Sequence, residues 1–141
     1  MYEHSVETEA AGRAVWELWA DVENWGEWNA DIKGIAIDRP FGEGAGIVMN
    51  PGTEEAVELV VTEAVVGERF VDEARFGGLV LRTMHRVGAG ERARTRVTYR
   101  MEITGDGVDE LGPQVGPAVT GDWPETMAAL VKAALAKVGE R

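Results

Sequence analysis

Apolar and polar positions alternate at the start of the chain, switch to a helical period, and then alternate again through most of the remaining sequence. Tyr2, His4 and Val6 alternate with Glu3, Ser5 and Glu7, which is the period of a half-exposed strand. Val15, Leu18, Trp19 and Val22 then fall at i, i+3, i+4 and i+7, the spacing of one helical stripe. The lead-in Thr8 to Gly12 contains Ala10 and Ala11, which offer no capping oxygen, so periodicity alone predicts this helix. After Asp21 the spacing breaks at Asn24, Gly26 and Asn29, placing Trp25 and Trp28 on a second short helix or a turn.

Period two resumes at Ile32, where Ile32, Gly34 and Ala36 alternate with Lys33, Ile35 and Ile37 until Arg39-Pro40 punctuates a turn. A short strand, Ile47 to Met49, lies between Gly42, Gly44 and Gly46 and the turn Asn50-Pro51-Gly52. Val57, Leu59 and Val61 alternate with Ala56, Glu58 and Val60, and Val65 to Glu68 closes that strand. Arg69 to Phe76 and Leu79 to Val87 are joined by Gly77-Gly78, a hairpin signal. Beyond the turn Gly88 to Glu91, Val97, Tyr99, Met101 and Ile103 share one face of Arg94 to Ile103, while Arg96, Thr98, Arg100 and Glu102 share the other. Such alternation requires one covered and one wet face, as in an antiparallel meander with a helix on one side.

The stretch Thr104 to Gly121, with Pro113, Pro117 and repeated glycines, reads as a loop with room for a short helix. Asp122 and Glu125 then take the N-cap and N3 places of a capping box. The helix they open runs to Val138, with Met127, Leu130, Val131, Ala134, Leu135 and Val138 as its apolar stripe. The chain of 141 residues is expected to be one domain, 1–141.

Composition narrows the chemistry. Cysteine is absent, which excludes a disulfide framework, a thiolate zinc site and a cysteine nucleophile. A net charge of −11 opposes approach to nucleic acid or an anionic membrane. MYEHSVETEA has neither a basic n-region nor an apolar run, so a soluble cytoplasmic protein without membrane anchoring is expected. No P-loop, dinucleotide fingerprint or nucleophile motif occurs; Gly42, Gly44 and Gly46 precede no helix. His4 and His85 are the two histidines and lie far apart, so no metal and no cofactor are expected.

The segment VWELWADVENWGEWN resembles the opening signature of the START-like (SRPBCC) superfamily in its polyketide cyclase/dehydrase branch. GEGAGIVM is similar to that family's third strand, GERFVDEARFGG to its fifth strand and hairpin, and LRTMHRV with RTRVTYRMEI to its sixth and seventh. The resemblance covers nearly the whole chain and implies an α+β helix-grip fold. In that fold a seven-stranded curved antiparallel sheet wraps a long C-terminal helix, with two short helices between strands 1 and 2. It also implies a hydrophobic cavity between sheet and helix, holding a lipid, a polyketide or an aromatic compound, in a monomer or weak homodimer. Within the branch, a cofactor-independent cyclase, aromatase or dehydratase is the alternative to plain binding.

Alternation tests which side chains face such a cavity. With Arg82 and Arg86 outside, Leu81, Thr83, His85 and Val87 lie on the covered face. His85 is the candidate for proton transfer, Tyr99 a hydroxyl donor to a ligand oxygen, and Thr83 their polar neighbour. Each also has an ordinary reading as a core residue. Ligand contact is expected from Trp25, Trp28, Leu59, Phe70, Phe76, Leu81, Val97, Met101, Met127 and Leu130. On the fifth strand the phenylalanine face is taken as inward, leaving Asp72 near one end. The glycine-rich loop Thr104 to Gly121 is expected at the mouth of the cavity, as a gate.

Overall fold

The computed structural model of the chain describes residues 1–29, 32–50, 52 and 56–139; the side chains of Phe76 and of residues 137–139 lie outside that description. Seven antiparallel strands form one sheet: β1 (Tyr2–Thr8), β2 (Gly34–Ile37), β3 (Gly46–Asn50), β4 (Val57–Val65), β5 (Arg69–Phe76), β6 (Leu79–Ala89) and β7 (Thr95–Gly105). Their order across the sheet is β1-β7-β6-β5-β4-β3-β2. Strands β2 to β7 therefore form a meander, and β1 closes onto β7, with Val6 opposite Val97 and His4 opposite Tyr99.

Between β1 and β2 stand α1 (Gly12–Ala20) and a 3-10 helix, Val22–Glu27. Two helices follow β7: α2 (Val108–Thr120) and α3 (Trp123–Gly139). The arrangement is the expected one of a curved sheet around a C-terminal helix.

The core lies between the concave sheet face and α1 and α3. Trp19, Phe70, Met101, Met127 and Leu130 are among its fully buried side chains. Burial of one such side chain contributes roughly 1.5–3 kcal/mol, so this layer rather than helix propensity holds α1, which lacks any side-chain cap. The outer sheet face carries ion pairs, among them Arg69–Glu63 at 2.7 Å and Arg96–Glu7 at 3.1 Å. Exposed pairs of this kind contribute little.

Several expectations need correction. Residues 104–121 are not a loop: β7 runs on to Gly105 and α2 occupies Val108–Thr120 with Pro113 and Pro117 inside it. Gly112 and Gly116 are both buried, four residues apart on one helical face. A Cβ at Gly116 would collide with the ring of Tyr2, so this glycine lets α2 settle against β1. Close tertiary contact outweighs the poor helix propensity of glycine and proline. Strand β2 begins at Gly34 rather than Ile32, and Ile32 instead packs against the core. Leu135 is exposed, leaving the buried face of α3 to Trp123, Met127, Leu130 and Ala134; the Val138 side chain lies outside the described residues.

Candidate functional site

A cavity of about 260 Å³ opens between the sheet and the helices. Period-two alternation builds its floor, because β5 turns Phe70, Asp72 and Ala74 inward, β6 turns Leu81, Thr83 and His85 inward, and β7 turns Tyr99 and Met101 inward. Register then sets these side chains in rows: Phe70, His85 and Tyr99 lie side by side, and so do Asp72, Thr83 and Met101. Leu59 and Val57 extend the floor along β4. Trp19, Trp25 and Trp28 cover one side, and Val119, Asp122, Trp123 and Thr126, from the end of α2 and the start of α3, close another.

Aromatic contacts fix the walls. Trp19 meets Phe70 edge to face at 5.5 Å and Trp16 at 6.3 Å, geometries that ring quadrupoles favour. The His85 ring stacks flat on Phe70, with centroids 4.0 Å apart. Phe41 packs edge-on against Phe70 at 5.1 Å; as a turn residue after Arg39-Pro40 it carried no sequence signal for this place. Trp25 donates its indole N–H to the Trp19 carbonyl at 2.9 Å, which ties the 3-10 helix to α1.

The polar groups are few and confined. Trp19 Nε1 donates to the Tyr99 hydroxyl at 3.2 Å, leaving the Tyr99 O–H available as a donor. Burial raises the Tyr99 pKa, the Trp19 bond opposes that rise, and the charge of Asp72 adds to it, so the phenol stays protonated. His85 is pushed down to about 3, chiefly by burial, with a hydrogen bond to the Phe70 backbone working the other way. It is a neutral imidazole at physiological pH, and its buried Nδ1 has no hydrogen-bond partner. Trp28 Nε1 is also buried without a partner.

Asp72 is the residue that sequence reasoning misplaced. It sits in the middle of β5, opposite Thr83 on one side and Val61 on the other, and is 5% exposed. Burial, and secondarily the charge of Glu73, raises its pKa from 3.8 to about 7. Among the described residues nothing donates a hydrogen bond to its carboxyl. Its inward direction followed from the same alternation that put Phe70 inward, two residues away on the expected strand Arg69–Phe76; pairing on both sides, to Val61 and Thr83, is what sets it mid-strand instead of near one end.

Of the residues singled out from sequence, His85, Thr83, Tyr99, Trp25, Trp28, Leu59, Phe70, Leu81 and Met101 all line the cavity. Val97, Met127 and Leu130 are buried in the core beside it and do not line its wall. Val97 lies on β7 between Val6 and Val87, and Met127 and Leu130 lie on α3, which packs against α1 and β1. The side chain of Phe76 lies outside the described residues. The gate expected at 104–121 is replaced by a helix whose last turn supplies Val119 to the wall.

No family model and no curated protein matches the sequence. Solved structures do match the fold. Norcoclaurine synthase from Thalictrum flavum, solved with dopamine and hydroxybenzaldehyde, superposes with a TM-score of 0.75 over 95% of this chain and 85% of its own, at 13% identity. The chain has the helix-grip fold. The di-domain ARO/CYC StfQ of the steffimycin biosynthetic pathway shares it with a TM-score of 0.79 at 11% identity, 98% of this chain covering 51% of that one. A Thermobifida fusca protein solved by NMR shares it at 21% identity and a TM-score of 0.70, over 94% of this chain and 91% of its own. At these identities the helix-grip likeness concerns architecture, and chemistry must be argued from the cavity.

Among the described residues no group of three or more His, Asp or Glu side chains is placed to hold a metal ion. No helix among them is long and apolar enough to cross a membrane.

Proposed function

We propose that this chain binds a small hydrophobic, ring-containing molecule in the cavity between its sheet and its helices. The observation that carries this reading is the cavity itself: about 260 Å³ walled by Trp19, Trp25, Trp28, Phe70 and Trp123. Ligand sites are commonly apolar concavities of about 300–1,000 Å³ with a few convergent polar groups, and this one lies just below that range. One ring or two fused rings suit it better than a sterol or a long acyl chain. Bound dopamine and hydroxybenzaldehyde in norcoclaurine synthase support a ligand of that size on this fold.

A thermal-shift screen of flavonoids, small polyketides, indoles, fatty acids and sterols tests the proposal. A ligand present at a hundredfold excess over its Kd stabilises by about 2.7 kcal/mol, which a melting curve resolves. Stabilisation by small ring compounds is expected; if no ring compound shifts the melt, the reading fails.

A second reading, a cofactor-independent cyclase, aromatase or dehydratase, is favoured by one observation. Asp72, Thr83, His85 and Tyr99 converge on the same cavity, offering proton acceptors beside a protonated phenol. Enolisation and loss of water need one acid/base and one hydrogen-bond donor. With His85 at about 3 and Asp72 at about 7, Asp72 is the better matched acid/base and Tyr99 the donor. Loss of turnover in Asp72→Asn with binding retained supports it; full turnover by Asp72→Asn dismisses Asp72 from that role.

A further inference from the structure

We infer that Asp72 makes this cavity selective for ring compounds bearing a basic nitrogen, and that it discriminates against carboxylates of the same shape. The inference rests on the ligand-binding reading above and specifies the ligand's polar group.

Three observations support it. First, the cavity wall contains two carboxyl side chains, Asp72 and Asp122, and among the described residues no lysine or arginine. At pH 7.5 Asp72 is largely ionised, so a carboxylate ligand meets its charge in a dry site with no lysine or arginine in the described wall to pair with. Second, Asp72 is almost wholly buried and aimed into the space, with no hydrogen-bond partner among the described residues. A buried polar group left without a partner is costly, and a ligand donor removes that cost. Third, the indoles of Trp19, Trp25 and Trp28 line the same space, and tryptophan faces attract cations. A protonated amine satisfies the carboxylate and the rings together.

The titratable groups facing Asp72 favour the same outcome. His85 on β6 is uncharged, Tyr99 on β7 keeps its proton, and Asp122 between α2 and α3 adds no positive charge. Glu73 lies on the opposite sheet face, 3.5 Å from Arg82. An entering ammonium group therefore finds Asp72 as its counter-ion. Because the empty site holds Asp72 protonated to about pH 7, forming that pair expels the proton from the carboxyl to solvent. Binding of an amine at pH 6 should release close to one proton, and binding of an alcohol none.

Three probes of one ring system test this: tryptamine, indole-3-ethanol and indole-3-propionate, titrated by tryptophan quenching and calorimetry at pH 7.5. Tryptamine should bind at least tenfold more tightly than the alcohol, and the propionate more weakly than both. Asp72→Asn, nearly the same size and shape, should abolish the amine's advantage over the alcohol. Calorimetry of wild type at pH 6 in two buffers of different ionisation heat reads proton release independently of any variant. Equal affinity for amine and alcohol, or an amine advantage that survives Asp72→Asn, overturns the inference while the ligand-binding reading stands. If none of the three binds, this inference falls; the ligand-binding reading falls with it only if the thermal-shift screen of ring compounds is also blank.

Discussion

Replacing Asp72 with asparagine should stabilise the protein, and by an amount that grows with pH. Burial lifts the folded-state pKa from 3.8 to about 7. Between those values the folded chain holds a proton that the unfolded chain has lost, so stability falls as pH rises through that window. The gap of about 3 pH units corresponds to about 4 kcal/mol once pH reaches 7, at ~1.4 kcal/mol per unit. At pH 5 the same arithmetic leaves about 2 kcal/mol. Asparagine cannot ionise, so the variant's advantage over wild type should widen by about 2 kcal/mol from pH 5 to 7, whatever constant offset the amide introduces.

His85 runs in the opposite sense. Its folded pKa is depressed from 6.5 to about 3, so below pH 6.5 the unfolded chain gains a proton that the folded chain refuses, and stability falls on acidification. In wild type the two slopes oppose each other between pH 4 and 6.5 and largely cancel. In Asp72→Asn only the histidine slope remains, and stability should drop by about 2 kcal/mol from pH 6.5 to 5. Urea unfolding followed by tryptophan fluorescence at pH 5, 6 and 7 measures both. A variant-to-wild-type gap that stays constant across that range would refute the argument that Asp72 is buried and protonated in the folded state.

Two further outcomes test the packing. Gly116→Ala should destabilise by about 1–2 kcal/mol, the collision with Tyr2 outweighing the better helix propensity of alanine; urea melts that show stabilisation, or no recovery on adding Tyr2→Ala, would mean α2 does not rest on Tyr2. Leu130→Ala, at a fully buried position outside the cavity wall, should cost about 2–5 kcal/mol while leaving the affinity for indole-3-ethanol unchanged. A weakened affinity at a temperature where the variant is folded would place Leu130 in the site.

Much of the fold was legible in the pattern. Gly77-Gly78 marks the β5–β6 hairpin, with Gly77 at a positive φ of 58°, and the alternation in β7 places Tyr99 and Met101 inward because a pleated strand has a strict period of two. His85 and Thr83 followed from the outward arginines of β6 by the same rule. The C-terminal segment was less transparent. Glycine and proline in residues 108–120 argue locally for a loop, and only the ring of Tyr2 on β1 turns Gly116 into a packing position.

Periodicity and composition by themselves determined the strand faces, the tryptophan helix and the absence of thiol chemistry, because these depend on local geometry and on which residue types exist. Which inward residues meet a cavity and which meet each other was decided by the tertiary structure alone. Val97, Met127 and Leu130 face inward as surely as Met101 and Leu81 do, yet they are buried in side-chain packing while the others border the cavity. Asp72 owes its raised pKa to the same cause. Its neighbours along the chain are charged or apolar alike, and the desolvation that holds its proton comes from β4, β6 and the helices closing over it, elements distant in sequence that only folding brings together.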